Sequence, residues 1–199
     1  MLIYIDGTLY EEEQAVIPVF DHGLLYGDGV FEGIRIYNGS VFRLKEHLQR
    51  LFDSCKAIAL DPQMSIEEME AAVTSTVRAN KKDDGYIRLV ITRGDGPLGI
   101  DPSRCKKARI IIIVGDISLY PQEYYSKGIR VCMSTYRRIP ADCFDVRIKS
   151  LNYRNYSGTK SHDSAHPEPV EGWAECGKNS CFDKLNTSGP VNIDVNVPE

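Results

Sequence analysis

The chain opens on two short runs rich in apolar and aromatic residues, set either side of a polar pair. Leu2-Ile3-Tyr4-Ile5 and Thr8-Leu9-Tyr10 flank Asp6-Gly7, two residues that tolerate positive φ, so a tight hairpin is predicted. A stretch punctuated by Gly23, Gly27, Gly29 and Gly33 follows. Ile34-Arg35-Ile36-Tyr37 and Val41-Phe42-Arg43 then bracket Asn38-Gly39 as a second hairpin. From Lys45 to Leu60 the period changes to that of a helix, with Leu48, Leu51, Phe52, Cys55 and Ile58 on one face. Ser65-Ile66-Glu67-Glu68 is a capping box that opens a second helix, whose stripe is Ile66, Met69, Val73 and Val77 and which should end near Asn80. Tyr86 to Arg93 and Ala108 to Ile117 read as strands, the second a β-branched run suited to burial on both faces. Gly94 to Gly99 between them reads as a mobile loop.

These elements predict an α+β domain over 1–118. A linker over 119–128 follows, marked by Tyr120-Pro121-Gln122, and a strand at Ile129-Arg130-Val131-Cys132-Met133 opens a second domain over 129–153. The pattern then stops. Residues 154–199 hold four of the ten prolines and six Leu, Ile or Val residues, so this tail is expected to be disordered.

Charge narrows the function classes. The net charge is −4, with 20 basic and 21 acidic residues in 1–153 and 4 basic against 7 acidic in the tail. No basic stripe suits a phosphate backbone, so no nucleic-acid partner is expected. The N-terminus lacks a basic n-region, and the apolar run Ile110 to Val114 is too short to span a bilayer. The six cysteines therefore read as reduced thiols of a cytoplasmic protein. His162-x3-His166 and Cys176-x4-Cys181 have zinc-ligand residue types, but the spacing is loose and no metal site is assigned. Gly27-x-Gly29 with Gly33 lacks the spacing of a dinucleotide fingerprint.

Four motifs carry the chemistry: Tyr26-Gly27-Asp28-Gly29-Val30-Phe31-Glu32-Gly33-Ile34-Arg35, Glu46-His47-Leu48-Gln49-Arg50-Leu51, Tyr86-Ile87-Arg88, and Arg147-Ile148-Lys149-Ser150-Leu151-Asn152-Tyr153. In this order the chain resembles the fold-type IV pyridoxal-phosphate enzymes, and among them the branched-chain amino acid aminotransferases. The resemblance covers about the first 153 residues. It implies pyridoxal 5'-phosphate as cofactor, with Lys149 bound to its aldehyde as a Schiff base and shuttling the substrate α-proton. It implies that Arg50 binds the phosphate and that Tyr153 contacts the cofactor and one pocket wall. Tyr26, Phe31, Arg35, Tyr86 and Arg88 become substrate-side residues: the rings form an apolar pocket, while Arg35, Tyr86 and Arg88 order the carboxylate. Taken one at a time, the same residues read as surface lysine, helix-surface charge, sheet-packing aromatics and cross-strand arginines. The implied reaction moves the amino group of leucine, isoleucine or valine to 2-oxoglutarate, a step of branched-chain amino acid biosynthesis. Its partners are amino acid and 2-oxo acid substrates and, in intact relatives, a second copy of the chain in a homodimer. Tyr26 and the 94–101 loop would reach that neighbour.

Two other readings stay open: a D-amino acid transaminase or aminodeoxychorismate lyase of the same fold, and a non-catalytic fragment whose N-terminal domain folds and self-associates. The resemblance also implies a complete N-terminal domain and a C-terminal domain cut short, without the glutamate that faces the pyridine nitrogen. His166 to Trp173 and Phe182 to Leu185 resemble translated bacterial repeat elements, as if an insertion or frameshift had replaced that domain. On this basis little or no activity is expected, and no stable cofactor band dependent on Lys149.

Overall fold

Asp6 and Gly7 both adopt positive φ (49° and 101°), and they join β1 (Leu2–Ile5) to β2 (Thr8–Glu11) as the sequence predicts. Asn38 and Gly39 (49° and 73°) do the same between β3 (Gly29–Tyr37) and β4 (Ser40–Val41). With β5 (Gly85–Thr92) and β6 (Arg109–Gly115) these strands form one antiparallel sheet in the order β2-β1-β6-β5-β3-β4. The short helix α1 (His22–Tyr26) precedes β3, and α2 (Leu44–Ala57) and α3 (Ile66–Asn80) lie between β4 and β5. This computed structural model describes residues 1–117, 121–128, 140 and 142–152.

The period-two pattern sends Val30, Ile34, Ile36, Ile87, Leu89, Ile91, Ile110, Ile112 and Val114 to one face of the sheet. There they meet Leu48, Leu51 and Cys55 of α2 and Met69, Val73 and Val77 of α3, the stripes read from helical spacing. Ser65 and Glu68 make the reciprocal capping box, at 3.2 Å and 2.7 Å. Two expectations change. β6 alternates between buried and partly buried residues rather than being buried throughout, because the helices cover one face of an antiparallel sheet. The second hairpin is cut to Ser40–Val41, because Arg43 turns left-handed (φ 48°) and α2 starts at Leu44.

Among the described residues, 1–117 and 142–152 belong to one compact unit, and α4 (Gln122–Lys127) belongs to another. No helix among the described residues is long and apolar enough to cross a membrane. The strand expected from Ile129, residue Tyr153, the tail from 154 and its His and Cys pairs lie outside the described residues.

Candidate active site

β4 covers only Ile36 and Tyr37 of β3, so the first half of that strand has an open edge. The lysine segment adds itself there. Phe31 donates its amide to the Lys149 carbonyl (3.0 Å), Leu151 donates to the Gly29 carbonyl (2.9 Å), and Val30 and Ser150 form an antiparallel bridge. The Lys149 amide donates to Ser54 Oγ on α2 (3.3 Å). Ahead of the lysine, Asp145 accepts from the Arg147 guanidinium and then its backbone amide, which holds its carboxyl down at about 2. Gly29 is required at this edge. A Cβ there would come within 2.5 Å of the Ile91 carbonyl oxygen and 2.7 Å of Leu151 Cδ1.

The central group of the site is Glu32. It occupies an inward slot of β3 between Val30 and Ile34, and its side chain is wholly buried. Arg50 grips it with two parallel bonds, Nε to Oε1 at 2.6 Å and Nη2 to Oε2 at 2.7 Å. His47 Nδ1 lies 2.9 Å from Oε2, and Lys149 Nζ lies 3.6 Å from the same oxygen. Burial pushes the Glu32 carboxyl up. The hydrogen bonds from Arg50 and His47, with the charges of Lys149 and Arg50, outweigh it and hold the group below its ordinary value. In return, the bonds to Glu32 raise Arg50.

Lys149 Nζ also stands 5.3 Å from the centre of the Phe31 ring. Arg88 lies over Phe31 (4.6 Å) and over Tyr86 (5.6 Å). Tyr86 leans across Gly33, where any Cβ would overlap its hydroxyl. Of the residues singled out in the sequence, Lys149, Phe31, Arg88 and Tyr86 thus form a chain of contacts around the start of β3, and Arg50 joins it through Glu32. Arg35 instead stacks on Tyr37 (5.4 Å). Tyr26 accepts the Gly99 amide at its hydroxyl (2.8 Å), which ties the end of α1 to the 94–101 loop, and its ring meets His22 edge-on.

Sequence reasoning assigns no role to Glu32, His47 or Ser54. Two signals were available. Glu32 breaks an otherwise apolar period-two face, and His47, Arg50 and Ser54 share one side of α2 at helical spacing.

The side chains fit a phosphorylated aldehyde. Lys149 is a primary amine with 28% of its side chain exposed. Arg50 is half exposed; Nε and Nη2 are engaged by Glu32, Nη2 also lies 3.4 Å from His47 Nδ1, and both N–H groups of Nη1 remain.

The family model "Amino-transferase class IV" matches residues 29–165, and the chain belongs to that family. The match runs past Tyr153 into the tail. Within the family the likeness is to the branched-chain amino acid aminotransferases. A Methanocaldococcus jannaschii protein described as a putative enzyme of that name is 49% identical over 155 residues, 78% of this chain and 53% of its own length. The branched-chain-amino-acid aminotransferase of Escherichia coli K12 is 35% identical over 153 residues, 74% of this chain and 50% of its length. The crystal structure of the T.th. branched-chain amino acid aminotransferase with pyridoxamine 5'-phosphate superposes with a TM-score of 0.71 at 33% identity. That match covers 78% of this chain and 53% of the other. The chain spans about half the length of the relatives it matches.

Proposed function

We propose that this chain binds pyridoxal 5'-phosphate through Lys149. We further propose that it serves amino transfer from leucine, isoleucine or valine to 2-oxoglutarate. The observation that carries the reading is the convergence of the Lys149 amine and the Arg50 guanidinium on one oxygen of Glu32. Bound there, the cofactor would supply the electron sink that transamination needs. Lys149 Nζ would hold the aldehyde end and carry the substrate's α-proton. Arg50 would hold the phosphate with its remaining donors. Phe31 and Tyr86 offer rings to an aliphatic side chain, and Arg88, lying over both, offers a cation to the carboxylate.

The docking of Lys149 on β3 moves the proposal beyond the sequence expectation of no cofactor band. A lysine fixed by backbone bonds on both sides of its neighbour Ser150 is oriented for capture. Adding pyridoxal phosphate should give an absorbance band that Lys149→Ala removes. Leucine and 2-oxoglutarate together should then give measurable glutamate. A band unaffected by Lys149→Ala would overturn the reading.

A second copy of the chain is the proposed partner. Val16, Val19, Phe20, Leu24, Leu98 and Ile100 are all more than half exposed, which supports an apolar contact with another subunit.

A further inference from the structure

We propose that Glu32 is the positioning residue of this site, setting the orientation of the Arg50 guanidinium and the place of the Lys149 amine at once. The proposal rests on the cofactor reading above.

A carboxylate in an inward strand slot is costly unless paired, and an apolar residue of similar size would serve packing as well or better. Val30 and Ile34 occupy the slots on either side. Glu32 is therefore a poor choice for stability alone. Its pairing is specific. The Nε–Nη2 edge of Arg50 lies along both carboxylate oxygens, which fixes the plane of the guanidinium and turns the remaining N–H groups away from Glu32. Oε2 also faces Lys149 Nζ at 3.6 Å and His47 Nδ1 at 2.9 Å. One buried group, itself on a strand, thus relates a phosphate-seeking cation on α2 to an amine on the docked segment. Lysine at position 50 could keep the charge but could not present two parallel donors.

The test uses the full chain and compares pyridoxal phosphate with unphosphorylated pyridoxal, each titrated by absorbance and fixed on Lys149 with borohydride. Urea unfolding midpoints are measured alongside. The unmutated chain should prefer the phosphorylated form. Glu32→Gln should cut that preference about ten-fold. Arg50→Ala should cut it at least as far, and the double variant should fall no further than Arg50→Ala. A merely structural role for Glu32 would weaken both ligands equally, and that result would overturn the proposal. If Glu32→Gln does not fold, Arg50→Lys decides: retention of the preference for phosphate overturns the proposal, and its loss supports it. No ligand fixed on Lys149 of the unmutated chain overturns the cofactor reading itself, and the role of Glu32 with it.

Discussion

Glu32 shows how a single side chain can be hidden in a pattern and still govern it. Its carboxyl lies below the ordinary value of 4.5 in the folded chain, so in the interval below that value the unfolded chain binds more protons. The stability it contributes is complete above the unfolded value and is lost as pH falls through the folded one. Urea midpoints of the unmutated chain and Glu32→Gln should differ at pH 7, and the gap should close as the pH is lowered below the ordinary glutamate value. A gap that widens in acid would reverse the sign of the argument. Cys55 is a second case. Burial pushes its thiol up to about 12, whereas Cys143 is exposed. Iodoacetamide at pH 8 should therefore label Cys143 in the native chain and Cys55 only after unfolding, as read by peptide mass. Ordered motifs drew attention to Lys149, Arg50, Phe31, Tyr86 and Arg88, whose roles are proposed above. Glu32 was not singled out, because a charged residue on a strand reads as an outward one until its partners on α2 are known.

The elements were readable where local chemistry decides them. Asp6-Gly7 and Asn38-Gly39 specify their turns, and Ser65 with Glu68 specifies the start of α3. Ser65→Ala should cost about 1 kcal/mol in urea unfolding, as loss of a cap usually does. Ile34, wholly buried in the core under the helices, should cost about 2–5 kcal/mol when truncated to Ala. Elements fixed by distant partners were less legible. The end of β4 depends on how the chain leaves a sheet edge to lay α2 across the face, which residues 40–43 do not encode alone. The docking of 149–151 on β3 depends on an edge left open by the shortness of β4. Gly29→Ala should disturb this docking first, since its methyl would meet Leu151 and the Ile91 carbonyl. The expected readout is a weakened Lys149-dependent cofactor band with a smaller change in the unfolding midpoint.

At the scale of the molecule, the chain belongs to the class IV aminotransferase family, carries the Lys149 segment on the β3 edge of its sheet, and spans about half the length of its relatives. The exposed apolar residues around Val16 to Leu24 and at Leu98 and Ile100 predict self-association that rises with concentration. Ile100→Asp should shift sedimentation toward the monomer, and unchanged sedimentation would count against this contact. The most direct test of the central claim is covalent. The chain is incubated with pyridoxal phosphate, reduced with borohydride, digested and mapped by mass. The account predicts one dominant modified peptide carrying the label on Lys149, absent in Lys149→Ala. Label spread evenly over surface lysines, with none favoured at 149, would contradict it.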